Sequence, residues 1–143
     1  MSVSTIEFQV LGVPIPKGRP KFRRLGSFVT AYTPAKTKKA EAVIAKAFKE
    51  RFPHFQLPDS DKVMLRVIFF MPIPKSTSKI RRKQMIEKSE YHTKKPDLDN
   101  LVKLVQDALN GIAWKDDSHI VFTQAIKCYG ETPKTDIEID YVI

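Results

Sequence analysis

Apolar positions along this chain change period several times, and each change predicts an element. Thr5–Val10 alternates, with Ile6, Phe8 and Val10 on one side and Thr5, Glu7 and Gln9 on the other, which predicts a strand. The next stretch, GVPIPKGRPKFRRLG, holds prolines, glycines and five Lys or Arg; it predicts an irregular basic loop, with Phe28–Tyr32 as a short strand closing it. A helix is expected from a cap at Thr33 or Thr37 to about Arg51, with Pro34 tolerated in its first turn and Ala40, Val43, Ile44, Ala47 and Phe48 as its buried stripe. Lys62–Met71 predicts a central strand, because Val63, Leu65, Val67 and Phe69 make one face apolar while Met64, Ile68 and Phe70 do much the same on the other. Ser76–Lys88 is strongly polar, with helical spacing only in Ile80, Met85 and Ile86, and reads as a short helix in an insertion. Ile120–Tyr129 and Thr135–Ile143 read as strands, and Gly130 and Pro133 between them predict a hairpin.

The strongest helical signal begins at Asp97. At about 100° per residue, Leu98, Leu101, Val102, Leu104, Val105, Ala108 and Leu109 share one broad apolar face. Asp99, Lys103, Gln106, Asp107 and Asn110 fall on the opposite stripe. Pro96 disfavours helical backbone at Lys95, Asp97 suits the N-cap, and Gly111 suits the C-cap. Asp99 then lies in the first turn, where the helix dipole favours negative charge. The resulting order of strands and helices predicts an α+β fold. We expect a single domain over residues 1–143, a mixed or mostly antiparallel sheet with two main helices packed on it.

Charge sharpens this picture. The 143 residues include 25 Lys or Arg against 16 Asp or Glu, a formal net charge of +9. Such a balance favours a polyanionic partner, either nucleic acid or an anionic membrane surface. The excess is uneven: residues 14–51 carry eleven basic and two acidic side chains, residues 75–95 eight and two, and residues 97–143 four and nine. One cysteine, Cys128, rules out an internal disulfide and a cysteine metal cluster. The opening residues lack the basic and apolar regions of a secretory signal, and the longest apolar run, Val67–Met71, is too short to span a bilayer. A cytoplasmic protein with no membrane segment is expected.

The candidate chemistry lies in the acidic part. Asp97 and Asp99 stand one residue apart at a helix entry, and Asp116 and Asp117 follow Trp114. Hydrolysis of a phosphodiester calls for a hard cation held by oxygen ligands, and Asp97, Asp99 and Asp117 could supply them if the Gly111–Trp114 turn folds back over the helix N-terminus. Helix capping explains Asp97 and Asp99 equally well, and a turn explains Asp116 and Asp117. Lys103, four residues after Asp99, is either an ion-pair partner or a catalytic cation. His54, His92 and His119 show no metal spacing, and no nucleophilic triad or Gly-rich phosphate loop is present. Lys17, Arg19, Lys21, Arg23 and Arg24 of the basic loop are candidates to track a phosphate backbone, with Phe22 available to a base.

The segment PDLDNLVKLVQDALNGIAWKDDSHIV resembles the signature of RusA-type Holliday junction resolvases: Asp-x-Asp-Asn-Leu-x-Lys, then Asp-Ala-Leu, then Trp-x-Asp-Asp. The upstream PKGRPKF and AYTPAKTKKAE are also similar to segments of that family. The chain departs from it in the longer basic segment 75–95. The resemblance implies an endonuclease that resolves four-way DNA junctions by paired nicks, works as a homodimer and uses magnesium, or manganese in its place. It implies essential acids at Asp97, Asp99 and Asp117 and a functional lysine at Lys103, with Asp116 a less secure fourth acid. Two other readings stay open: a branched-DNA-binding protein without catalysis, and a branched-DNA nuclease without junction preference.

Overall fold

A computed structural model describes residues 2–143. Among them the chain forms β1 (Val3–Leu11), β2 (Lys21–Leu25), β3 (Phe28–Tyr32), α1 (Ala35–Arg51), β4 (Val63–Met71), α2 (Lys79–Glu87), α3 (Leu98–Leu109), a short 3-10 turn at Asp117–His119, β5 (Ile120–Tyr129) and β6 (Lys134–Val142). The fold is α+β, as the periodicities predict. The main sheet has the order β1-β6-β4-β5. β6 runs antiparallel to both of its neighbours, whereas β4 and β5 are parallel and are joined by a crossover that carries α2 and α3.

The predicted hairpin between the last two strands does not form. β6 inserts between β1 and β4 instead, pairing Ile139 with Ile6 on one side and with Leu65 on the other. Alternation shows which residues of a strand face the core; it does not say which strand lies next door. The connection must therefore pass the end of β4. There Gly130 donates its N–H to Met71 O at 3.0 Å, and a Cβ at Gly130 would meet the Phe70 side chain at 2.8 Å. The tight passage requires a glycine.

Both long helices cover one face of the sheet. Leu65, Val67 and Phe69 of β4 and Ile137, Ile139 and Tyr141 of β6 point towards them and are buried. α3 contributes Leu101, Leu104, Val105, Ala108 and Leu109 to the same core. At about 1.5–3 kcal/mol for each large aliphatic chain withdrawn from water, this stripe outweighs any intrinsic preference of a 12-residue helix. α1 buries Ile44 and Phe48, with Phe48 edge-on to Phe8 at 5.4 Å and to Phe55 at 5.0 Å. Neither Thr33 nor Thr37 caps α1. Pro34 occupies the N-cap, and the buried Thr37 Oγ1 accepts the Gly18 N–H at 3.0 Å. Ile73, Met85 and Tyr129 form a second, smaller cluster under α2. No helix of the described residues is long and apolar enough to cross a membrane.

Among the described residues, no helix lies on the other face of the sheet. Glu7 lies opposite Glu138, Gln9 opposite Asp136, and Thr5 opposite Asp140. Arg66 of β4 sits among these acids: it pairs with Asp140, and Glu138 is 3.9 Å from its guanidinium. Thr5 donates its hydroxyl to Asp140 at 2.6 Å.

The expected basic loop is partly regular. Lys21–Leu25 and Phe28–Tyr32 pair as a separate two-stranded hairpin, β2–β3, with Leu25 opposite Phe28 at its tip. Every residue of both strands is exposed.

Candidate active site

α3 carries Asp97 and Asp99 at its N-terminal end. Asp97 is the N-cap residue by backbone position, with φ −68° and ψ 140°, yet its carboxylate makes no capping hydrogen bond among the described residues. Simple capping therefore does not account for it. Asp99 projects from the first turn, its side chain 70% exposed, with Lys103 Nζ 3.9 Å away and 60% exposed. That spacing is a loose i,i+4 ion pair, so neither charge is sequestered by the other. The peptide Lys95–Pro96 that leads into Asp97 is cis.

Lys127 of β5 holds this entry. Its ammonium donates to Lys94 O at 2.5 Å and to Pro96 O at 2.7 Å, immediately before the acid pair. The strand Ile120–Tyr129 hides this role in the sequence, where Lys127 reads as one polar residue in an alternating stretch. His92 lies beside it, donating its backbone N–H to Lys127 O at 2.9 Å. Burial, then the charges of Lys127 and Lys94, push the His92 imidazole below its ordinary value.

Asp117 lies beyond the other end of α3. The helix spans 12 residues, about 18 Å at 1.5 Å per residue. Gly111, with φ +78°, follows the C-cap Asn110, and Gly111 N–H donates to Trp114 O at 2.8 Å. The turn closes on the helix C-terminus and does not fold over the N-terminus. Trp114 is buried and donates its indole N–H to Asp117 Oδ1 at 2.8 Å. Asp116 accepts from Ser118 N at 3.0 Å, a plain turn-capping role, and hydrogen bonding from the Ser118 side chain, then from its backbone, lowers the Asp116 pKa. A single chain thus brings Asp97, Asp99 and Lys103 together and leaves Asp117 apart.

The basic segment is anchored to the same helix. Lys17 N–H donates to Asn100 O at 2.9 Å, and its ammonium pairs with Asp107 two turns further along α3. Glu41 of α1 stands near this pair; burial raises its pKa, Lys17 opposing and Asp107 adding to the shift. Lys17 is therefore committed to α3, while Arg19, Lys21, Arg23 and Arg24 remain exposed on the arm that follows.

Residues 12–140 match the family Endodeoxyribonuclease RusA. This chain belongs to the RusA endodeoxyribonuclease family. It is also 36% identical, over 138 residues covering 94% of each chain, to the uncharacterized protein YqaN of Bacillus subtilis (strain 168).

For a RusA family member the question is whether these residues suit a divalent ion. Magnesium is commonly held by one or two carboxylates, with water and substrate oxygens completing the shell. Asp97 and Asp99 fit that requirement: both are exposed, both are oxygen donors, and Asp97 is free of a capping bond. Among the described residues no three or more His, Cys, Asp or Glu side chains converge on one point as a metal group. The pair suits an ion that relies on substrate for its remaining ligands, rather than a closed protein cage.

Proposed function

We propose that this RusA family member is a divalent-metal-dependent, homodimeric endonuclease selective for four-way DNA junctions in the cytoplasm. The observation that carries the reading is the uncapped Asp97 carboxylate beside Asp99 at the positive end of α3, in a member of an endodeoxyribonuclease family. Asp97 and Asp99 would hold magnesium, or manganese in its place. When bound, such an ion polarises the scissile phosphate and offsets the charge that develops on it. Lys103, one helical turn on, supplies a compact positive charge to the same developing anion. Lys94 and Lys95 lie exposed just ahead of the acids and contact flanking phosphates. Arg19, Lys21, Arg23 and Arg24 grip the backbone further out. Lys17, paired with Asp107, positions the arm.

Asp117 joins the acid pair only from a second copy of the chain. A helix length separates the two acidic groups within one chain, and a two-fold pairing of chains can set the C-terminal turn of one α3 against the N-terminus of the other. An isologous dimer also suits the near two-fold symmetry of a four-way junction.

The test is cleavage of an end-labelled four-way junction, with and without magnesium, alongside a fork and a linear duplex. Paired magnesium-dependent nicks confined to the junction are expected. Asp99→Asn should bind the junction and fail to cut it. Binding by the wild type without cutting would indicate a non-catalytic branched-DNA-binding protein. Equal cutting of all three substrates would indicate a nuclease without junction preference.

A further inference from the structure

Among the described residues, every position in both strands of the β2–β3 hairpin is exposed. Leu25 is 55% exposed, Phe28 73%, Val29 65% and Phe22 70%. The register places Leu25 opposite Phe28, directly beside the turn. Gly26, with φ +62°, takes the first central position of the two-residue loop, as a type II′ hairpin requires. One face of the arm then carries Lys21, Arg23, Leu25, Phe28, Thr30 and Tyr32, with the Arg23 guanidinium 5.2 Å from the Tyr32 ring centre. A free two-stranded hairpin is marginal in water, and apolar side chains at its tip gain nothing there.

Charge identifies the occupant. No acidic residue occurs between Glu7 and Glu41, and the arm and its approach carry Arg19, Lys21, Arg23 and Arg24. A basic stem with an apolar tip matches a polyanion that exposes flat apolar surface. Duplex DNA offers phosphates to the stem, but its bases are stacked and closed to Leu25 and Phe28. A branch point offers both, because the stack is interrupted there, and apolar side chains enter such interruptions. The base of the arm is fixed, since Gly18 N–H bonds Thr37 on α1 and Lys17 N–H bonds Asn100 on α3. Five residues per strand extend the tip about 17 Å from its stem at 3.4 Å per residue.

We propose that the β2–β3 hairpin is a DNA-inserting arm, with Leu25 and Phe28 entering the open stack at a branch point while Arg23 and Arg24 hold the adjoining phosphates. The inference rests on the DNA reading of the active site and adds to it a determinant of branched-over-linear selectivity.

The experiment uses the full chain in calcium, which commonly supports binding in place of magnesium without cutting. The probe is a four-way junction with 2-aminopurine beside the branch point. Wild-type protein should raise the 2-aminopurine fluorescence on binding, as the base loses its stacking partner. The double variant Leu25→Ser, Phe28→Ser should abolish that rise and weaken junction binding by roughly tenfold, leaving linear-duplex affinity within about twofold, since the stem charges remain. Circular dichroism controls for folding. A second variant, Arg23→Gln with Arg24→Gln, should weaken junction and duplex alike. Junction binding with no change in fluorescence, or an unchanged junction-to-duplex ratio in the tip variant, overturns the proposal while the nuclease reading stands. No DNA binding by the wild type overturns both. Loss of dimer in sedimentation by the tip variant, or binding of wild type to phosphatidylserine vesicles that the variant loses, would assign the tip to a second copy or to a membrane and overturn it as well.

Discussion

Lys127 Nζ lies 2.7 Å from Pro96 O, so a lysine on the edge strand of the sheet fixes the backbone one residue before the first aspartate of the acid pair. The two residues are 31 positions apart in the chain. The contact means that the sheet, as well as the helix, determines where the Asp97 carboxylate stands.

Replacing Lys127 by methionine keeps the volume and removes both hydrogen bonds. Charged hydrogen bonds are worth about 1.5–3 kcal/mol each when the partner is left unsatisfied, and partial exposure lets water take up part of that loss, so a stability loss of roughly 1–2 kcal/mol is expected. Single-turnover cleavage should fall about tenfold, and the magnesium concentration for half-maximal rate should rise. A shifted magnesium requirement separates positioning of the acids from a general loss of stability. Wild-type magnesium dependence in this variant would remove Lys127 from the site.

Subunit mixing tests the contribution of Asp117. Asp99→Asn and Asp117→Asn homodimers should each be inactive. If a site takes Asp99 from one chain and Asp117 from the other, a mixed dimer contains one intact site and one with both changes, and it should nick a single strand. If each chain builds its own site, both sites of the mixed dimer are damaged and mixing restores nothing. Gel analysis of a junction labelled on each strand distinguishes the outcomes.

Lys103→Ala should fold and dimerise normally. As an exposed ion-pair partner of Asp99 the residue is worth a few tenths of a kcal/mol and contributes nothing to rate. As a charge near the scissile phosphate it should cost about a hundredfold in single-turnover cleavage, about 2.7 kcal/mol of transition-state stabilisation. Lys103→Arg should rescue poorly, because a planar fork does not place its charge where an ammonium does. A rate within threefold of wild type for Lys103→Ala would leave it a surface ion pair.

Tyr141 makes stability depend on alkaline pH. Its hydroxyl donates to Ala113 O at 2.7 Å, and burial pushes the phenol well above its ordinary value. A pKa raised by folding gives stability that is present below the unfolded value, about 10, and lost as pH rises beyond it, when the unfolded chain releases a proton the folded chain keeps. Urea midpoints should therefore fall more steeply above pH 10 in wild type than in Tyr141→Phe. At pH 7 the same change should cost about 1 kcal/mol, because the Ala113 carbonyl loses its donor. Parallel pH curves for the two proteins would contradict the assignment.

The sequence was most legible where one side chain pattern served one neighbour. The apolar stripe of α3 and the alternating burial of Val63 to Met71 followed from periodicity, as did the stripe of α1 except at Val43, which is exposed. The position of β6 did not, because Ile137, Ile139 and Tyr141 would alternate identically on any inner strand. β2 was missed since Lys21–Leu25 has no apolar face to reveal it; only its pairing with Phe28–Tyr32 makes it a strand. In the candidate site, the placement of Asp97 and Asp99 at a helix entry was readable from Pro96 and the onset of periodicity. The separation of Asp117 was not, because the direction of the Gly111–Trp114 turn depends on Trp114 being drawn into the core. Lys127 could not be read at all, since its partners are backbone carbonyls, which carry no residue identity.

The helix-free face of the sheet bears on how this protein meets its substrate. Glu7, Asp136, Glu138 and Asp140 stand there against Arg66, Lys134 and Arg51, a balance far from that of the whole chain, which is strongly positive. A particle charged in this way is expected to meet a polyanion more often with the basic arm in front than with the sheet in front. On the DNA reading proposed above, the acidic face would act as the tail of a vane, and its influence should fade as salt shortens the reach of the field.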